Sequence, residues 1–178
     1  MNATPAGARL PIVPADPAAV RAVHPVIERA YRGDSARHGW THEADLISGE
    51  RTSLDELEAL AAAPNSRLLV AWLGDRAVGS AAVTDLGGGH CYVGLVAIEP
   101  ELQAAGLGRQ LLSAAEACAR ETFGASALEM TVISSRTELI AYYERRGYRR
   151  TGELRPFPVA EYPHLEMVVL ERNLGSSA

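Results

Sequence analysis

Apolar positions along the chain recur at two periods, and each change of period marks a new element. Arg9 to Val13 predicts a short strand. Asp16 followed by Pro17 is an N-cap with proline at the first helical position. Apolar residues at helical spacing carry that helix to about Tyr31, with Gly33 just beyond it. Residues 33–52 hold Gly, Ser, His and Trp without a clear period and read as loop and broken helix. Ser53 with Glu56 is a capping-box pair, opening a helix to Ala63 that Pro64 stops. The apolar runs Arg67 to Leu73 and Ala77 to Thr84 flank Gly74-Asp75 and predict a hairpin. A strand from His90 to Ile98, a helix from Leu107 to about Thr122 and a strand from Ala127 to Ile133 follow. Ser135 with Glu138 predicts a second capping box on a helix that Gly147 ends, and short strands near Tyr148–Thr151 and Leu165–Leu170 close the chain.

There is no internal repeat and no linker, so the 178 residues read as one α/β domain, 1–178, with frayed ends at 1–8 and 173–178. A net charge of −5 argues against sequence-independent nucleic-acid binding, which needs a concentrated basic face. No apolar run approaches the length that spans a bilayer, and Met1 to Arg9 lacks the basic start and apolar stretch of a secretory leader. Cys91 and Cys118 stand far apart with no CxxC pair, and no His cluster has ligand spacing. The expectation is therefore two free thiols, no metal and a reducing cytoplasm.

Chemistry concentrates where an apolar strand runs through a glycine loop into a helix, from Gly94 through Val96-Ala97-Ile98, Glu99-Pro100 and Gln103-Ala104-Ala105-Gly106-Leu107-Gly108 to Arg109. A helix start offers unpaired N–H groups and the positive end of the dipole, which suit an anion. Gly106 and Gly108 remove the Cβ atoms that would hold a diphosphate away from those amides, and Arg109 adds a forked cationic donor. A dinucleotide fingerprint does not fit, because Leu111 stands where its third glycine belongs, and no Gly-Lys-Ser/Thr follows for a Walker loop. Two glycines alone read as a bare turn between strand and helix, with no ligand.

The wider pattern resembles the GCN5-related N-acetyltransferase (GNAT) superfamily. Gln103-Ala104-Ala105-Gly106-Leu107-Gly108 is similar to that family's Gln/Arg-x-x-Gly-x-Gly/Ala cofactor motif. Leu139-Ile140-Ala141-Tyr142-Tyr143-Glu144-Arg145-Arg146-Gly147-Tyr148 is similar to its second block. The resemblance covers residues 67–151 well and the N-terminal third in outline. It implies a twisted mixed sheet of six or seven strands flanked by about four helices, with a splayed strand pair that holds coenzyme A. Val96, Ala97 and Ile98 would pair with the pantetheine, and residues 104–109 would hold the diphosphate, with Gln103 opening the loop. Ala104 and Ala105 depart from the basic spacers frequent in relatives, which shifts the diphosphate onto backbone amides and Arg109.

The implied reaction is direct acetyl transfer from acetyl-CoA to a primary amine of a small molecule or peptide. The alternative is a non-catalytic acyl-CoA-binding sensor or scaffold on the same fold. Tyr143 stands at the position of the family's general acid, Tyr142 reads as a core aromatic, and the backbone N–H of Ile98 would serve the oxyanion. Glu129 is either the base or a half-exposed strand residue. Arg136 either reaches the cofactor or decorates a first helical turn. Tyr31, His38, Trp40, His42 and Glu43 are candidates for the acceptor pocket, in a stretch whose many acids predict either a cationic amine or a solvated acidic face. No nucleic acid or membrane partner is implied, and a homodimer is left open.

Overall fold

The computed structural model describes residues 9–32, 36–37, 43–103 and 105–175. In chain order these give β1 (Ile12–Pro14), α1 (Pro17–Tyr31), α2 (Leu54–Ala62), β2 (Ser66–Leu73), β3 (Arg76–Gly87), β4 (His90–Ile98), a 3-10 turn (Pro100–Leu102), α3 (Leu107–Phe123), β5 (Ala127–Ile133), α4 (Thr137–Glu144), β6 (Arg149–Pro156) and β7 (Glu166–Asn173). Local chemistry sets most of these limits. The Asp16 carboxylate accepts from Ala19 N at 2.7 Å, which starts α1. Ser53 and Glu56 form the expected capping box, Glu56 N donating to Ser53 Oγ at 3.2 Å and Ser53 N to Glu56 Oε2 at 2.8 Å.

The second capping box does not form. Arg136 N donates to Ile133 O, so a turn uses up Ser134 and Ser135 before the helix begins. Arg136 becomes the N-cap, with no side-chain cap, and Glu138 falls one position short of where a box requires it. The two last strands are longer than the pattern indicated. Asn173 pairs with Ala127, and Leu174 N donates to Ser126 O at 2.7 Å. Residues 173–175 are therefore held, where fraying was expected.

The strands form one sheet in the order β1-β2-β3-β4-β5-β7-β6, with β4 and β5 the parallel pair. One face packs α3 through Leu111, Leu112, Ala115 and Ala119 against Val83, Val93 and Leu128. The other packs α1 and α2 through Val23, Ile27 and Leu57 against Leu68, Val70 and Ala82. This is the mixed architecture that the resemblance implied, with seven strands and four helices among the described residues.

Two irregularities of β4 shape the centre. Ser80 opposes Ala97 and Ala82 opposes Gly94, so Leu95 and Val96 together face Ala81 as a bulge. Leu95 sits at φ 49°, a left-handed conformation that costs a non-glycine residue about 1–2 kcal/mol. The buried Ser80 hydroxyl, donating to Leu95 O at 2.7 Å, holds it there. The extra residue swaps the faces of the strand. Cys91 and Val93 pack on the α3 side, whereas Leu95 and Ala97 pack on the α1 side. Next to the bulge, β4 pairs with β5 only from His90↔Ala127 to Tyr92↔Glu129. Beyond Tyr92 the two strands part.

The bulged strand is held close to β3 because Gly79 has no side chain. A Cβ there would lie 2.9 Å from Ala97 O and 3.0 Å from Leu111 Cδ1. Gly79→Ala should therefore destabilise the fold by about 1–3 kcal/mol, read from the midpoint of urea denaturation. An unchanged midpoint would show that β4 can shift to make room.

Candidate functional site

Where β4 leaves β5, its backbone is exposed to ligands along one edge. Glu99 N donates to Val78 O, so residues 97 and 99 turn their amide groups to β3, and Val96 and Ile98 turn theirs into the gap. Val96 O accepts the Tyr31 hydroxyl at 2.8 Å, and Ile98 O accepts Gln103 Nε2 at 3.3 Å. The Ile98 N–H points the same way as its carbonyl pattern requires, into the gap. A cavity of about 270 Å³ fills this space, walled by Val96, Ala97, Ile98, Gln103 and residues of α4.

The glycine loop closes one end of that cavity. Gly106 is the N-cap of α3 at φ 83°, no side chain caps the helix, and a Cβ on Gly106 would point into open space. The amides of the first turn, Leu107 to Arg109, are thus left for an anion. Leu107 itself buries its side chain in the core. A Cβ on Gly108 would meet the Tyr142 hydroxyl at 2.5 Å, so Tyr142, which packs against the core, also lies against the loop and lines the cavity. Arg146 stacks its guanidinium 3.4 Å from the Tyr142 ring, and its buried Nε has no acceptor among the described residues. An acyl-CoA fits these features: a strand edge for pantetheine amides and, for phosphate, a helix start whose first-turn amides no side chain caps. Arg109 is exposed and lines a separate groove outside the loop with Arg9 and Ala105, and Ala104 lies outside the described residues.

A second cavity of about 240 Å³ opens on the other side of the gap. Its walls come from residues 47–51, β5 and the β6–β7 connection, with Ile47, Met130, Phe157 and Tyr162 among them. The two cavities share Tyr31, Val96, Arg136, Leu139 and Tyr143. Tyr143 is 7% exposed and its ring stands edge-on to Tyr142 and Tyr148. Burial pushes its phenol well above the ordinary tyrosine value, with the neighbouring Tyr31 adding to the effect. Burial also raises the Tyr31 phenol to about 12, against the pull of the Arg51 guanidinium 5.1 Å from its ring centre.

The model of the Acetyltransferase (GNAT) family matches residues 30–148. The chain belongs to the GNAT acetyltransferase family. Its fold is similar to that of the ribosomal-protein-S18-alanine N-acetyltransferase of Escherichia coli, at 16% identity and TM-score 0.71, over 95% of this chain and 96% of that one. A spermidine N-acetyltransferase chimera from Vibrio cholerae superposes with TM-score 0.72 at 16% identity, over 94% and 96%. The yncA structure from Salmonella typhimurium, solved with its cofactor acetyl-CoA, gives 0.69 at 21%, over 96% and 97%. No curated protein matches in sequence.

Within this GNAT domain the expected acids are elsewhere engaged. Glu129 lines neither cavity, and Arg155 grips it at 2.8 and 3.4 Å. Glu43 does line the second cavity, but Arg32 at 2.8 Å and Arg136 at 3.1 Å both hold it. Arg136 thereby stands at the junction of the cavities, not out on a helical turn. Glu28 accepts the backbone N–H groups of Arg51 and Thr52, Glu56 caps α2, Glu58 pairs with Arg21, and Asp45 pairs with Arg37. Of the acids in residues 17–63, Glu43 and Glu50 line the second cavity. His38, Trp40 and His42 lie outside them.

Arg32, Arg51 and Arg146 were not singled out from the sequence, because an arginine in a loop or on a short helix carries no pattern that separates a wall from a surface. The loop assignment has a direct test. Gly106→Val places a branched side chain in the open space before the α3 amides. Coenzyme A affinity, read by calorimetry, should fall at least tenfold, about 1.4 kcal/mol, in a protein that still melts cooperatively.

Proposed function

We propose that this GNAT-family chain moves an acetyl group from acetyl-CoA directly to a primary amine, with no acyl-enzyme stage. The observation that carries this reading is the meeting of two cavities at Tyr31, Val96 and Tyr143, one suited to a pantetheine arm and one open to an acceptor. Acetyl-CoA supplies a thioester already activated for attack. The Ile98 N–H, facing the gap and free of the β3 ladder, serves as donor to the developing oxyanion. The Tyr143 hydroxyl serves the departing sulfur. Because burial holds its proton more tightly than a thiolate can, it acts chiefly as a hydrogen-bond donor to developing charge. With Glu129 and Glu43 both held by arginines, the acceptor amine gives up its proton to water before it attacks. The free cysteines, Cys91 and Cys118, support a reducing cytoplasm as the setting.

Free-thiol release from acetyl-CoA over a panel of amines tests the reaction, and binding without any release would favour a sensor. Tyr143→Phe keeps the ring packing and removes the donor, so kcat should fall about a hundredfold while the Kd for coenzyme A stays put. An unimpaired variant would move the acid elsewhere.

The pH profile gives a second test. The ionised phenolate is the form that burial disfavours, so the donor persists through and above pH 10, where an ordinary tyrosine would be losing it. The rate should climb as the acceptor amine deprotonates and show no falling limb up to about pH 10. A decline centred near pH 10 would mean that Tyr143 titrates normally, and one centred well below it that another group limits the rate.

A further inference from the structure

Among the described residues that line the acceptor cavity, Arg32, Arg51 and Arg136 face Glu43 and Glu50. Glu50 is exposed, and water screens it. Glu43 is a single carboxylate shared between two guanidinium groups, and the Arg32, Glu43 and Arg136 side chains are only 11%, 11% and 10% exposed. Arg32 Nε is itself buried with no acceptor among the described residues. Arg51 lies half-buried over the Tyr31 ring, the same ring whose hydroxyl bonds Val96 at the junction of the cavities. Ile47, Met130, Val132, Phe157 and Met167 add apolar wall, beside the polar Ser48, Tyr92, Thr131 and Tyr162.

We infer that the acceptor is an amine bearing a carboxylate a few bonds from the acylated nitrogen, held by Arg51 against the Arg32–Glu43–Arg136 cluster, as an apolar amino acid would be. This rests on the transfer reading above. The amine end then lies toward Tyr31 and Tyr143, and the carboxylate toward Arg51, with the apolar side chain against Met130 and Phe157. A diamine or polyamine meets the wrong sign of charge in this cavity. An arginine fork takes both oxygens of a carboxylate at once, which fixes the orientation as well as the affinity.

The experiment compares leucine, methionine and phenylalanine with their amides and their decarboxylated amines, and with spermidine. Thiol release from acetyl-CoA gives turnover. Calorimetry on the protein saturated with coenzyme A gives binding without reaction. Each amino acid that is used should exceed its amide and its amine by at least tenfold in kcat/KM and should bind more tightly by a similar factor. Arg51→Met should bring that ratio near unity through KM, and Arg51→Lys should restore part of it. Selective binding of amino acids without thiol release would sink the transfer reading and leave standing only the cavity's preference for an amine that bears a carboxylate. Equal use of amides and amines, better use of spermidine, or no binding by any of these compounds would overturn the inference. In the first two of those cases transfer itself would stand.

Discussion

Everything at the centre of this molecule depends on a parallel strand pair that is allowed to stop pairing. Adjacent β-strands normally satisfy each other's amide groups along their whole length, and a buried edge with unpaired groups is unfavourable. Here β4 and β5 pair from His90 to Tyr92 and then diverge, leaving the Val96 and Ile98 amide groups facing a cavity. The bulge at Leu95 and Val96 makes that divergence a property of the fold. It turns the strand, exchanges the faces of its side chains and is locked by a hydroxyl from β3. Its left-handed residue is the only non-glycine with positive φ among the described residues, which puts the local strain beside the site.

A strand edge without a neighbouring strand must be held by side chains, and charged groups do much of that here. Glu99, 3% exposed at the end of β4, takes Arg29 of α1 at 2.7 Å and has Arg76 at 3.6 Å. Tyr31, two residues on from Arg29, bonds Val96. These two contacts tie α1 to the part of β4 that β5 abandons, so the helix that walls the junction is fixed to the strand it serves. Buried ion pairs of this kind contribute little net stability once desolvation is counted. Their geometry is strict, and here the geometry is what a transfer site needs.

Much of this was legible in the sequence. The ends of β4 and β5 fell where the apolar runs end, the two glycines of the 103–109 loop stood out against a helical pattern, and Asp16 and Ser53 marked helix starts as caps do. The bulge left one mark, Gly94 just before it, but a lone glycine in a strand does not say which neighbour turns left-handed, and Leu95 itself has no residue type that favours that conformation. Ser135 and Glu138 had the right types at the right spacing, yet the turn through Ser134 shifted the helix by a residue. The acids of residues 17–63 left two readings open. Composition counts carboxylates, and it cannot tell Glu28, spent on two backbone amides, or Glu43, shared by two arginines, from a carboxylate facing a ligand.

The contrast between the two cavities follows from what each must recognise. A pantetheine arm and a diphosphate can be held by backbone groups, so the cofactor side needs glycines, a strand edge and a helix start, all of which leave marks in a sequence. An acceptor has to be told apart from other amines, and backbone amides, alike everywhere, cannot do that. Side chains must, and this fold draws them from places far apart in the chain: Tyr31 and Arg32 at the end of α1, Arg51 before α2, Arg136 before α4, and Phe157 and Tyr162 between β6 and β7. None of these neighbours another in sequence except the first pair. The specificity of such a site is a product of the fold, and its charge can be read only after the fold has brought Glu43 between its arginines.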